Sequence, residues 1–334
     1  MAASRSVSRL LCAALVLSVA CVAESSETAQ DSFAPRAQEA ASAGSDARTN
    51  AVIADAYAAL TAGEHARVGE IIRAVDARVA AAPDDGRASF YAGTMRLWRM
   101  IESGAAVTGI TGADPTDPIL ALGRLERARA LLPDDFRATG FLGVIQVSVG
   151  RVLASKAQMD AGFATLDRAI EQDPAYGYFL RASATMGFPR SDPRSEITLQ
   201  DLVKLAEVCR YPVGDDEVAH RYPSDAEAEE VSRSRVCLND GMVPHVWEGV
   251  FVAFGDTALR SGWSAARARA LYRSARTAPN YETWPFAEQL DARIASADER
   301  AALYADTNAA NDPLVWGNTR YNCVGCHQTA TNTR

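Results

Sequence analysis

The chain has few of the features that identify common enzyme classes from sequence. Among its 334 residues there are only four histidines and six cysteines, and aromatic residues make up 7%. No nucleophile triad, phosphate-binding glycine loop or carboxylate pair stands in a recognisable sequence context. The formal net charge of −8 argues against nucleic-acid binding, since phosphates require clustered positive charge. These features leave an enzymatic activity open but give it no support.

Long apolar runs are absent after residue 23. Before that point, Leu10 to Ala23 form an apolar stretch of 14 residues that follows Arg5 and Arg9. The stretch is too short to span a bilayer comfortably, and its charge order is typical of a secretory signal. The sequence therefore predicts a signal peptide over residues 1–23 and export to the periplasm of a Gram-negative-type bacterium.

Two cleavage sites fit this signal. Ser18, Val19 and Ala20 before Cys21 resemble a bacterial lipobox, although Ser18 stands where that family usually has Leu. The resemblance implies an acylated Cys21 and a membrane anchor, with cleavage after Ala20. Ordinary signal peptidase cleavage near Ala20 or Ala23 fits equally. Residues 24–50 are rich in Ala, Ser and charge, and this composition predicts a disordered tether.

Runs of alternating β-branched residues are scarce after Ala51, so strands are not predicted. The segment is rich in Ala, Leu, Arg and Glu, which predicts an all-α domain. Pro83, Pro133, Pro174 and Pro279 each follow an Ala-rich stretch. Such punctuation is typical of stacked helical hairpins.

Small and large apolar residues before these prolines resemble the second helix of the tetratricopeptide repeat. The matching residues are Ala121, Leu125 and Ala128 before Pro133, Leu166 and Ala169 before Pro174, and Leu271 before Pro279. Gly150 falls at the small position of the first helix of its repeat, which would let the two helices approach closely, and Gly255 repeats this arrangement. The intervals between the prolines depart from the 34-residue period of the family. The resemblance therefore implies a degenerate α-solenoid whose concave surface binds a protein partner.

The predicted organisation is a tetratricopeptide-like array over 51–186, an insertion over 187–244, further helical hairpins over 245–310 and a C-terminal segment over 311–334. The Gly- and Pro-rich residues 103–118 predict a loop within the array. The long insertion contains Cys209 and Cys237. Because an exported protein with an even number of cysteines tends to pair them, we expect a disulfide between these two.

The C-terminal segment contains Cys323-Val324-Gly325-Cys326-His327. This C-x-x-C-H pattern resembles the attachment site of a c-type cytochrome, in which two thioethers hold one haem and the histidine is an axial iron ligand. A disulfide, a redox dithiol or a metal site would also use these residues, but the predicted export favours covalent haem c. Trp316, Tyr321 and Arg320 are candidates to cover the porphyrin and to pair with a propionate.

The sixth iron ligand has to come from elsewhere, because only seven residues follow His327. Thioether and imidazole side chains are the usual donors. A five-coordinate iron is the alternative. The candidates are Met186, Met242, His245 and His220, each of which is equally suited to a packing or surface role.

Three functions are compatible with the sequence. The first is an exported c-type cytochrome that docks a protein partner and takes part in electron transfer or redox sensing. The second is an envelope adaptor or scaffold lipoprotein in which the haem is structural or absent. The third is a peroxidase-type haem enzyme with an open iron position.

Overall fold

The computed structural model describes residues 47–61, 64–103, 114–211, 235–237, 246–278, 281–284, 286–306, 308, 311–313 and 315. These ranges contain twelve α-helices and no strand. The helices are α1 Ala47–Thr61, α2 Val68–Ala81, α3 Gly86–Ser103, α4 Asp117–Leu131, α5 Phe136–Val152, α6 Lys156–Gln172, α7 Pro174–Thr185, α8 Ser195–Val208, α9 Val246–Arg260, α10 Ala265–Ser274, α11 Ala287–Ala295 and α12 Ala297–Ala305. None of the helices in these ranges combines the length and apolar character needed to cross a bilayer.

Short polar turns set the boundaries between successive helices. After Pro133, Asp135 is the N-cap of α5, where its carboxylate accepts from the backbone N–H groups of Arg137 and Ala138. Asp173 caps α7 in the same way by accepting from Tyr176 N–H. A carboxylate at this position satisfies amides that have no partner within the helix. Acidic caps next to proline therefore start the new helix where the preceding one ends.

The helices pack as antiparallel hairpins, which confirms the predicted all-α helical-repeat fold. The hairpins are α1–α2, α3–α4, α5–α6, α7–α8 and α9–α10, followed by the short helices α11 and α12. The first helix of the central hairpin, α5, is buried along 13 consecutive residues, Ala138 to Gly150. Its partner α6 buries a single stripe that includes Leu166 and Ala169. The core therefore runs along the stack, with the first helices of the last four hairpins, α3, α5, α7 and α9, innermost.

Glycines in the inner helices allow the hairpins to close. A Cβ on Gly143 would lie 2.6 Å from Leu166 Cγ, and a Cβ on Gly93 would lie 2.6 Å from Leu125 Cγ. The sequence predicts this role for Gly150. The structure confirms it, since a Cβ on Gly150 would lie 2.6 Å from Met159 N in α6.

Buried arginine–aspartate pairs join the helices of several hairpins. Arg99 of α3 donates to both carboxylate oxygens of Asp117 in α4, at 2.6 Å each. Arg181 of α7 donates to both oxygens of Asp201 in α8, at 2.7 and 2.9 Å. Such bidentate pairs fix the register of two helices as well as contributing energy.

The predicted boundaries differ from the structure in two places. Helix α1 begins at Ala47, and Thr49 is buried, where Arg78 donates to it and it donates to Asp85. The last residues of the predicted tether therefore belong to the fold. Within the predicted insertion, α8 occupies Ser195–Val208 and completes the hairpin with α7. The array therefore extends to Val208.

Candidate functional site

Most of the predicted site residues lie outside the described ranges. They are Cys21, His220, Met242, His245, Trp316, Arg320, Tyr321, Cys323, Cys326 and His327. Met186, Cys209 and Cys237 are the predicted site residues that the structure describes.

Cys209 and Cys237 form a disulfide with a Cα–Cα distance of 5.2 Å. Cys209 follows the last turn of α8, Cys237 lies in a 3₁₀ turn at Arg235–Cys237, and both side chains are fully buried. The bond therefore connects the end of the fourth hairpin to a turn 28 residues further along the chain.

An aromatic cluster holds this turn against α9. The Trp247 indole N–H donates to the carbonyl of Val236 at 2.7 Å. The Tyr211 ring lies 3.9 Å from Trp247 and 5.2 Å from Phe251, measured between ring centroids. The disulfide and the aromatic cluster together attach the end of α8 and the turn Arg235–Cys237 to the helical core.

Met186 packs in the hydrophobic core immediately after α7, with 5% of its surface exposed. Its backbone carbonyl accepts from Arg260 Nη1 at 3.2 Å. Met186 therefore has a packing role in the fold, which is the alternative to iron ligation that the sequence left open.

The loop after Met186 lies among four arginines, Arg151, Arg190, Arg194 and Arg260, which we call the arginine cluster; Arg151 and Arg194 lie at the ring of Phe188. The guanidinium carbons of Arg194 and Arg151 lie 4.4 and 5.5 Å from the ring centroid of Phe188. Phe188 itself is buried. Arginines at these distances interact favourably with an aromatic ring through its quadrupole.

Three members of the cluster have polar partners. Arg194 donates from two nitrogens to both oxygens of Asp192, at 2.8 and 2.5 Å. This bond holds the pKa of the Asp192 carboxyl below its usual range. Arg260 donates to the carbonyls of Met186 and Ser195, at 3.2 and 3.4 Å. Arg190 bonds to residues near the end of the described chain.

Arg190 connects this loop to the segment after α12. Its guanidinium donates to the carbonyls of Tyr304 and Asp306, the latter at 2.6 Å, and forms an ion pair with Asp312 at 3.1 Å. The hydroxyl of Tyr304 donates to the carbonyl of Pro313 at 2.8 Å. The described residues between Tyr304 and Pro313 are therefore held beside the arginine cluster.

Among the described residues, Arg151 forms no ion pair, and its buried Nη1 atom has no hydrogen-bond partner. Desolvation lowers the pKa of Arg151 to about 10, and no carboxylate offsets this effect. A guanidinium in this setting favours an anion that would restore its electrostatic balance.

Sequence reasoning missed the arginine cluster. The Pro-rich segment 187–195 has two arginines, which is a weak signal of a charged loop. Arg151 gives no sequence signal, because it meets Phe188 only through the packing of α5 against α7.

Within the described ranges, no group of three or more His, Cys, Asp or Glu side chains could hold a metal ion. Among known protein families, curated proteins and solved structures, none matches this chain.

Proposed function

We propose that this chain is an exported c-type cytochrome, in which a helical-repeat domain docks a protein partner and a covalent haem c takes part in electron transfer or redox sensing. The observation that carries the proposal is the motif Cys323-Val324-Gly325-Cys326-His327. The thiols of Cys323 and Cys326 would attach the porphyrin, and His327 would bind the iron. The haem would supply one-electron chemistry.

The disulfide supports this use of the motif. Of the six cysteines, Cys12 lies in the predicted signal, Cys21 is either removed with the signal or acylated, and Cys209 is bonded to Cys237. The two remaining thiols are those of the motif, so they have no competing partner elsewhere in the mature chain. A buried structural disulfide is also typical of the oxidising compartments to which a signal peptide directs a protein.

The protein-docking part of the proposal is supported by exposed apolar residues at one end of the hairpins. Leu153 is 64% exposed, Ile119 60% and Leu120 42%. The first turn of α4 and the last turn of α5 lie at the same end of the stack, because the two helices are antiparallel. Apolar side chains that are exposed together in one patch are typical of contact sites for other proteins.

The test is whether purified mature protein retains haem after acid-acetone extraction. We expect the pyridine spectrum of a c-type haem, and we expect it to be lost in the double variant Cys323→Ser/Cys326→Ser. His327→Ala should lose the normal low-spin spectrum. The matched control is Cys209→Ser/Cys237→Ser, which removes the disulfide-bonded pair of cysteines and should keep the covalent haem. Extraction of all haem from the wild-type protein would refute the proposal.

The same exposed residues favour the adaptor function as a second candidate. If the protein is folded, exported and free of covalent haem, the helical array would act as a binding scaffold only. A high-spin ferric spectrum that shifts with cyanide or peroxide would instead support a haem enzyme with an open iron position.

A further inference from the structure

The inner helices of the array leave little surface for a partner within the described ranges. Helix α5 is buried along 13 consecutive residues, and 13 of the 15 residues of α9 are buried. The exposed large apolar side chains of these ranges, Ile119, Leu120 and Leu153, lie instead at the end of the stack where α4 begins and α5 ends. A docking surface that uses apolar contacts is therefore found at this end of the stack.

Leu153 is the most exposed of these side chains and belongs to a tight turn. It directly follows α5, and Ser155 N–H donates to the carbonyl of Gly150 at 2.7 Å across the turn. Ala154 has a φ of 51°, in the left-handed region that closes the ends of many helices. Because the main chain fixes the turn, little conformational entropy is lost when a partner covers Leu153.

Arg151 lies two residues before Leu153 and gives the same turn a positive charge. Its guanidinium carbon lies 5.5 Å from the ring centroid of Phe188, and its buried Nη1 has no hydrogen-bond partner. The residue as a whole is half-buried, so part of the side chain remains accessible. A carboxylate placed here would pair with a guanidinium that is held by an aromatic ring and is already partly desolvated.

Negative charge and apolar contacts are combined in an anionic membrane surface and in an acidic protein segment. Asp114 and Asp160 lie at the same end of the stack, with side chains 41% and 58% exposed. These carboxylates would repel a surface that is negative throughout. A protein segment can place one carboxylate at Arg151 and keep its other charges away from the two aspartates. The described residues therefore favour a protein segment.

We propose that the turn after α5 binds a partner protein through a segment in which a carboxylate stands next to apolar side chains. The carboxylate pairs with Arg151, and an apolar side chain of the segment packs on Leu153. The inference rests on the protein-docking part of the proposed function and adds the chemistry of the partner. It involves no residue of the C-x-x-C-H motif.

The first test selects binders to the purified mature protein from a random dodecapeptide phage library. We expect the recovered peptides to carry Asp or Glu beside large apolar residues. The best of them, synthesised with a fluorescent label, is then titrated by fluorescence anisotropy. Arg151→Gln should weaken its binding roughly 10–100-fold and Leu153→Ala roughly 3–30-fold. The matched control is Arg168→Gln, which removes an exposed arginine three turns along α6 and should leave the affinity unchanged.

The second test asks whether the carboxylate and Arg151 act as a pair. The acidic residue of the peptide is replaced by its amide, Asp by Asn or Glu by Gln. We expect the amide peptide to bind wild type and Arg151→Gln with equal affinity, because the partner of the guanidinium is gone. Circular dichroism checks that each variant folds, and if Arg151→Gln does not, Leu153→Ala and the amide peptide on wild type decide the matter.

Several outcomes would overturn the inference. They are recovery of no peptide, recovery of peptides without an acidic residue, and an acidic peptide whose affinity is the same in wild type, Arg151→Gln and Leu153→Ala. Flotation with vesicles of phosphatidylcholine and phosphatidylglycerol in equal parts tests the membrane alternative. Vesicle binding that is lost in the same two variants would assign the turn to a lipid surface instead.

The haem proposal and this inference fail separately. The double variant Cys323→Ser/Cys326→Ser should bind the peptide as wild type does, so absence of covalent haem leaves the inference intact. Loss of peptide binding in this double variant would place the site at the motif and overturn the inference. An affinity that does not depend on Arg151 would overturn the inference and leave the result of the haem extraction unchanged.

Discussion

Asp256 joins the last four helices through one buried carboxylate. It lies in α9 and accepts from Tyr272 Oη of α10 at 2.7 Å, from Arg293 Nε of α11 at 3.0 Å and from Arg300 Nη2 of α12 at 2.9 Å. The carboxylate is fully buried. Burial and the neighbouring carboxylate raise the pKa of Tyr272 well above its ordinary value, so this hydroxyl remains a donor.

We predict that Asp256→Ala lowers the free energy of unfolding by about 3–5 kcal/mol, because two arginines would lose their buried counter-ion. Urea unfolding followed by circular dichroism measures this change. The control is Asp298→Ala, which removes an exposed partner of Arg269 and should cost less than about 1 kcal/mol. Similar midpoints for the two variants would contradict the central role of Asp256.

Asp192 gives a pH-dependent prediction. Its pKa is lowered in the folded protein, chiefly by the hydrogen bond from Arg194. A carboxyl with a lowered folded pKa adds stability above its unfolded pKa of about 3.9 and loses it as the pH falls through the folded value. We therefore expect wild type to be more stable than Asp192→Asn at pH 7 by up to about 1 kcal/mol, and the difference to vanish once the pH falls below the lowered folded pKa of Asp192. Urea midpoints of both proteins, measured from pH 7 downward, test this prediction. A stability difference that grows on acidification would contradict it.

At the scale of the helices, two glycines in neighbouring hairpins should respond oppositely to alanine. A Cβ on Gly143 of α5 would collide with Leu166, whereas a Cβ on Gly123 of α4 meets no atom within 4 Å. We predict that Gly143→Ala destabilises the protein by about 1–3 kcal/mol through overpacking. Gly123→Ala should stabilise it by about 0.5–1 kcal/mol through lower backbone entropy in the unfolded chain. Thermal unfolding of both variants tests these two predictions. A change in stability of the same sign in both variants would contradict the packing described for the two glycines.

The repeat pattern predicts the helical hairpins well where buried residues are apolar. Ala121, Leu125 and Ala128 are all fully buried on α4, as the resemblance implies. Helix α8 was missed because its buried face is partly polar. Thr198 bonds to Thr185, and Asp201 bonds to Arg181, so both polar residues lie inside the hairpin. A stripe of this kind does not have the apolar periodicity on which a helix prediction depends.

The candidate site shows a different limit of sequence reasoning. A covalent attachment motif is local, since five consecutive residues contain its whole chemistry. The arginine cluster is not local, because Arg151 and Phe188 are 37 positions apart and meet only when α5 packs against α7. Whether a buried cation has a counter-ion depends on the complete fold, and no short pattern contains that information.

At the scale of the whole molecule, Arg190 ties the end of the described chain back to its middle. We predict that Arg190→Ala accelerates amide hydrogen exchange in α12 by roughly 5–150-fold, corresponding to the loss of about 1–3 kcal/mol of local stability. Exchange in α5 and α6 should stay unchanged, and Arg168→Ala serves as the control. A uniform acceleration across all helices would mean that Arg190 supports the global fold rather than the C-terminal end.

The contacts of Arg190 also have a consequence for the order of events during synthesis. Its partners Tyr304 and Asp306 lie 114 and 116 residues later in the chain. At typical translation speeds, these partners are made roughly 6–20 s after Arg190. The second half of the array therefore stays incomplete until the ribosome has almost reached Cys323. Synthesis of the last partners of Arg190 and synthesis of the two motif thiols are thus nearly simultaneous.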